Sequence, residues 1–284
     1  MRTIAFAAVL LLATPSWAQT ALKVTQLAEL ADGLSQPHDA AFSPDGKLIY
    51  VTDMRNSRVR ALEAMTLKLV GTFGAGELSY PHDAEFDKSG RLLVADTGKD
   101  RIAIYAVQGA KAKLVGELKG LAGPEGVAVA PDGRVIVTNT RAATLSVFRD
   151  GKLLYVTDMR NSRIRVLEAM TLEPVGGIYV DDSGNDRVQV FDAELRHRAS
   201  FGPALGLRGP KYLGFDGDRL WLADQYNHRI LLLDRGGRAL GVLGTGRRGR
   251  SASEFHKPEA VLARAPYVWV IDTYNDRVVL LRLD

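Results

Sequence analysis

The chain has 284 residues, 37 basic against 33 acidic for a net charge of +4, and no cysteine. The missing thiols exclude a disulfide framework, a thiolate metal site and a lipid anchor on cysteine. So small a positive excess is not that of a nucleic-acid binder, and a chain this long buries enough core to fold as one closed all-β domain or two smaller ones.

The first segment is a leader. Met1 and Arg2 precede IAFAAVLLLATPSWA, an apolar run that ends on small residues at Ala18. It is too short to span a bilayer and reads as a secretory signal peptide cleaved after Ala18. The mature chain, residues 19–284, is therefore expected to be periplasmic or secreted. No later run approaches the length of a membrane span, so none is expected.

From residue 37 onward the sequence repeats. A β-rich run ends in Asp, a four-residue turn follows, and Arg opens a second β-rich run: YVTDMRNSRV at Asp53 and Arg58, LVADTGKDRI at Asp96 and Arg101, IYVDDSGNDRV at Asp182 and Arg187, WLADQYNHRI at Asp224 and Arg229, WVIDTYNDRV at Asp272 and Arg277. A degenerate member, IVTNTRAATL, puts Asn139 and Thr144 at those places. Two strands around a polar turn make a hairpin. A proline-led third strand precedes most hairpins, starting at Pro37, Pro81, Pro124, Pro210 and Pro258, and a fourth follows, as in KLVGTFG from Lys68. Four antiparallel strands in each unit of about 40–45 residues are the signature of a β-propeller blade.

The motif positions step from 53 to 96, 139, 182, 224 and 272, which predicts an all-β, six-bladed β-propeller in a single domain over residues 19–284. One segment breaks the phase. Gly151 to Gly176 matches Gly46 to Gly71 at 21 of 26 positions, yet Asp158 falls between the units at Asn139 and Asp182. The phase assigns 154–160 to the outer strand of the third blade and 165–172 to the inner strand of the fourth, and predicts an irregular junction between them. The last unit stops after its third strand, so the apolar segment Ala21 to Leu30 is expected to supply the fourth and close the ring.

D-[ST]-x-N-x-R-[IV], fullest at 182–188 and 272–278, resembles the NHL repeat, and SPDGKLIYVTD from Ser43 resembles the YVTN class of bacterial propeller repeats. The resemblance runs from about Pro37 to Asp284. It implies a propeller architecture shared by binding modules, sensor ectodomains and at least one enzyme class.

A feature present once per blade is structural, so the Asp-x4-Arg pair is read as a charge-assisted clamp across the turn. Departures from repetition carry more information. The residue after the inner-strand proline is His38, His82, Glu125, Lys211 and Glu259 in turn, with Glu168 the nearest counterpart in the aberrant blade; Asp39 and Asp83 follow the two histidines. Such positions surround the mouth of the central channel. His38, Asp39, His82, Asp83, Glu125, Lys211 and Glu259 are therefore the candidate ligand-binding residues, for a small ligand, a peptide or a protein, in a monomer that binds no nucleic acid.

Two imidazoles with nearby carboxylates also make His38, His82, Glu125 and Glu259 a candidate set for a zinc or calcium ion. The propeller of peptidyl-α-hydroxyglycine α-amidating lyase, to which this chain is distantly similar, holds zinc on histidines at its channel mouth, and that likeness implies a metal-dependent lyase or hydrolase as the alternative to a binding module. Here only two histidines match that placement. His197 and His228 are expected at the surface, and His256 lies out of register.

Overall fold

The structure, a computed structural model, describes residues 20–130, 132–158, 163–166, 178–192 and 196–284. The leader at 1–18 and Glu168 lie outside the described residues. None of the described helices is long and apolar enough to cross a membrane.

The strands form six antiparallel sheets in a ring. After β1 (Val24–Leu30), the first blade is β2 (Pro37–Phe42), β3 (Leu48–Asp53), β4 (Arg58–Glu63) and β5 (Leu69–Phe73). The second is β6 (Pro81–Phe86), β7 (Arg91–Asp96), β8 (Arg101–Gln108) and β9 (Lys111–Leu118). The third joins β10 (Pro124–Val129), β11 (Val135–Asn139), β12 (Thr144–Arg149), β13 (Lys152–Asp158) and β14 (Arg163–Val166); the fourth joins β15 (Ile178–Asp182), β16 (Arg187–Phe191) and β17 (His197–Phe201). The fifth is β18 (Pro210–Asp216), β19 (Arg219–Asp224), β20 (Arg229–Asp234) and β21 (Ala239–Leu243). In the sixth, β22 (Ala260–Arg264), β23 (Tyr267–Asp272) and β24 (Arg277–Leu283) take β1 as their fourth strand, antiparallel to β24.

The motif residues organise each blade. Asp53, Asp96, Asp182, Asp224 and Asp272 each accept a bond of 2.7 Å from Nε of the Arg five positions on. The other oxygen of Asp53, Asp96, Asp224 and Asp272 accepts from the backbone N–H two residues before the inner-strand proline, at Ser35, Ser79, Arg208 and His256. One carboxylate thus ties together the start of the first strand, the end of the second and the start of the third. That accounts for Asp at this place without any catalytic role.

The turn also stitches blades together. Its fourth residue after the Asp sits in the left-handed region, and its side chain accepts from the N–H just before the next blade's proline. The pairs are Ser57 with Tyr80, Asp100 with Gly123, Asp186 with Gly209, His228 with Lys257, and Asp276 with Gln36. In the third blade that position is Ala143, which has no acceptor. The buried apolar clusters follow the same pattern: they fill the interfaces between the first and second, second and third, fourth and fifth, fifth and sixth, and sixth and first blades. Among the described residues neither a latch nor a core cluster joins the third blade to the fourth.

That junction is irregular, and only one of the two strands that the repeat phase assigns takes its expected place. β13 is the fourth strand of the third blade, reached through an Asp150-Gly151 turn with both residues at positive φ, as a two-residue hairpin requires. β14, however, does not serve as the inner strand of the fourth blade. It pairs with β13 in the register that sets Asp158 opposite Arg163, the register of Asp53 opposite Arg58. The copied hairpin folds on itself because its partners lie a few residues apart, and closing that short loop costs less entropy than sending the second half to another sheet. The third blade has five strands as a result, and the described part of the fourth has three. The rest of the 165–172 segment, from 167 on, lies outside the described residues.

Candidate functional site at the channel mouth

Inner-strand starts pair with second-strand ends, Pro37 opposite Asp53, Pro81 opposite Asp96, Pro124 opposite Asn139 and Pro210 opposite Asp224. The residues after the prolines therefore gather at the same end of the ring as the Asp-Arg turns. There the structure brings His38, His82 and Glu259 together. His38 Nε2 lies 2.6 Å from Glu259 Oε2 with both side chains buried, and the His38 and His82 rings meet edge to face with centroids 4.3 Å apart. Gln225 Nε2 donates to the other Glu259 oxygen. Glu259 feels two opposed influences: burial works to raise its pKa, and the hydrogen-bonded His38, with help from Lys211, outweighs it and holds the carboxyl below the ordinary value.

His82 is pulled down to about 4, first by burial and then by His38, so it is neutral at pH 7. Its Nδ1 lies 2.9 Å from the Tyr80 carbonyl oxygen. His38 Nδ1 is buried and has no hydrogen-bond partner among the described residues. Such an atom is uncommon in a finished core, where nearly every polar group is paired.

One residue further along each inner strand lie Asp39 and Asp83, both buried. Their carboxyls hydrogen-bond to each other, and Asp83 also accepts from Val127 N at 2.6 Å. Burial pushes Asp39 well above the carboxylate range, with the Asp83 charge and hydrogen bond adding, so Asp39 holds a proton toward Asp83. These two residues belong under the mouth as structure, joining the first three inner strands. Glu125 stays at the mouth, accepting from the Thr140 hydroxyl at 3.1 Å. Lys211 lies near enough to act electrostatically on His82, Glu259 and Asp181, with no ion pair within 4.0 Å among the described residues.

Sequence reasoning missed three residues. Tyr212 packs edge-on to His38 with ring centroids 5.3 Å apart and donates from its hydroxyl to the Glu125 carbonyl, 2.9 Å away, linking the fifth blade to the third. Gln225 fixes Glu259. Asp181 occupies the column held by Thr52, Ala95, Thr138, Ala223 and Ile271 in the other blades. Burial pushes its carboxyl up to about 7 with Lys211 pulling the other way, and its Oδ1 has no hydrogen-bond partner among the described residues. The signal for Asp181 was present as an acid in an otherwise uncharged column. His228 is half-buried, not a surface residue, because its Nδ1 accepts the latch from Lys257 N at 3.0 Å; His197 is exposed.

The donors do not present a metal-ligand set. Nε2 of His38 faces Glu259, Nδ1 of His82 faces a carbonyl, and among the described residues no group of three or more His, Asp or Glu is arranged to hold an ion.

The NHL repeat family model matches residues 121–148, within the third blade. No curated protein gives a significant match. Among solved structures, virginiamycin B lyase from Staphylococcus aureus is similar with a TM-score of 0.62 at 13% identity, over 93% of this chain and 100% of that one. An auxiliary nutrient binding protein from Bacteroides ovatus gives 0.66 at 15% identity, over 94% of this chain and 78% of that one. A protein of unknown function from Bacteroides thetaiotaomicron gives 0.68 at 11% identity, over 94% and 73%. At such identities the likeness establishes the fold and leaves activity open. The chain is a six-bladed β-propeller in which residues 121–148 match the NHL repeat.

Proposed function

We propose that the protein is an exported, monomeric binding module that takes a small ligand, a peptide or a protein segment at the mouth of its channel. The observation that carries this is His38: nine-tenths buried, tied to Glu259 through one ring nitrogen and left without a partner at the other. An unpaired buried donor or acceptor costs about 1–3 kcal/mol, and a ligand group bonded to Nδ1 recovers it. The leader supports export, and the polar cluster in a concave ring supports the mouth as the place of binding.

The test is a thermal-shift screen with free amino acids, dipeptides, mono- and disaccharides and aromatic carboxylates at millimolar concentration. Compounds that stabilise the parent are repeated on Glu259→Gln at the mouth and on Met65→Ser, an exposed residue in the turn after β4, at the opposite end of the ring. Stabilisation weakened by the first and kept by the second supports the reading. Stabilisation lost only in the second overturns it.

A second reading, a metal-dependent lyase or hydrolase with a divalent ion at His38 and His82, is favoured by the same unpartnered nitrogen lying beside a second imidazole. Its further ligand would be Glu259, already bonded to His38 Nε2, or Glu125. Elemental analysis of protein purified without chelator, with a His38→Ala, His82→Ala double variant as control, decides it: no metal in the parent ends the reading.

A further inference from the structure

The rim above this cluster is not symmetric. The second residue after the motif Asp or Asn is Arg55, Gly98, Arg141, Gly184, Tyr226 and Tyr274 around the ring, so both aromatic rings fall on the fifth and sixth blades. Tyr226 is 50% exposed and Tyr274 39%. Lys257 rises between them, its Nζ 5.0 Å from the Tyr226 centroid and 4.7 Å from that of Tyr274. It has no acidic partner within 4.0 Å among the described residues.

Its backbone shares the left-handed conformation found before the inner-strand proline in every proline-led blade, with φ at 48°, and its N–H donates to His228 Nδ1. The remaining charges around Tyr274 are Lys211 and Arg55, both cationic, and Glu259, which is already paired with His38. Arg55 is turned to Gln36, leaving the two lysines free.

Two half-exposed tyrosine rings flanking an ammonium that has no carboxylate partner among the described residues, in a locally cationic rim, are complementary to an anion carried on a ring. We propose that Tyr226, Lys257 and Tyr274 form a subsite for a carboxylate carried on a ring, the ring packing on the tyrosines and the carboxylate pairing with Lys257. This rests on the mouth being the binding face and names the ligand class for it. The same chemistry is offered by a uronic-acid residue of an acidic saccharide and by an aromatic carboxylate.

Calorimetric titration with trigalacturonate, galactotriose and 4-hydroxybenzoate tests it, on the parent and on Lys257→Ala, Lys257→Arg, Tyr226→Ala and, as a rim control, Tyr80→Ala. Binding of an acidic probe is expected to weaken at least tenfold in Lys257→Ala and Tyr226→Ala, to be kept in Lys257→Arg and Tyr80→Ala, and to fall with added salt, with no binding of galactotriose. Trigalacturonate alone identifies a saccharide source and 4-hydroxybenzoate alone an aromatic one; either supports the subsite. Absence of binding by both acidic probes, or unchanged binding in Lys257→Ala, overturns it. If probes bind with dependence on Glu259 and not on Lys257, the mouth stands as the binding face and this subsite falls.

Discussion

Replacing Asp272 by Asn separates the structural role of the motif from any other. Asp272 is fully buried and accepts from His256 N at 2.7 Å, Asn275 Nδ2 at 2.8 Å and Arg277 Nε at 2.7 Å. Asparagine keeps one carbonyl oxygen for His256 but turns an NH2 group toward two donors. Arg277, with 1% of its side chain exposed, then keeps only Glu29 at 3.1 Å and the carbonyls of Arg250, Ser251 and Glu254. Breaking a buried pair typically costs about 3–5 kcal/mol, and the surviving contacts place this one near about 3. Asp182→Asn removes the same motif interaction where Arg187 is 41% exposed, and should cost no more than about 1 kcal/mol. Equilibrium urea unfolding, followed by the fluorescence of the buried Trp221 and Trp269, measures both. Equal losses in the two variants would refute the assignment of clamp strength to burial.

Other outcomes follow from the same geometry. Asp181 is pushed up to about 7, chiefly by burial, so between its ordinary value and pH 7 the native state holds a proton that the unfolded chain has released, and stability falls as pH rises through that window. Asp181→Asn should therefore raise the melting temperature at pH 8 and leave it unchanged at pH 4. His82 acts in the opposite sense: held near 4 when folded, it lets the unfolded chain bind the extra proton between about 4 and 6.5, so its contribution is lost on acidification, and His82→Gln should flatten the acid limb of stability against pH. A Cβ on Gly214 would lie 2.4 Å from the Val261 carbonyl oxygen of the next inner strand, so Gly214→Ala should cost about 1–3 kcal/mol in urea unfolding. Tyr212→Phe removes the bond to the Glu125 carbonyl and should cost about 1 kcal/mol by the same assay.

The blade count was legible because the Asp-x4-Arg clamp is local and recurs in five of the six sheets, with Asn139 and Thr144 at the same spacing in the other, so its spacing alone places the blades. The copied segment shows where that logic stops. Repeat phase treats the chain as a ruler and hands 165–172 to the fourth blade, but pairing is decided by free energy. The pairing that sets Asp158 opposite Arg163 joins positions only a few residues apart and forms whatever the phase requires. What phase did anticipate is the consequence, an irregular junction. The physical content of that irregularity, Ala143 without an acceptor and no described core cluster between the third and fourth blades, lies in single residues that a repeat alignment averages away.

The mouth was legible for the same reason and to the same depth. Reading the column after the inner-strand prolines picks out His38, His82 and Glu259, which meet in the structure because strand register carries equivalent positions to equivalent places. It could not foresee that Asp39 and Asp83, in the adjacent column, would bond to each other beneath the mouth, since alternation sends successive side chains to different faces of a strand. Nor could it foresee Tyr212 reaching across to Glu125, which depends on blades that are not neighbours. The rim follows a third column, two residues past the motif Asp or Asn, which holds arginine, glycine and tyrosine; Gly98 is required there because a Cβ would run into Ser79, whereas Gly184 stands in open space. A scaffold held by clamps and latches leaves the rest of that column with little to hold together, and such rim positions are the ones through which one propeller's ligand can differ from another's.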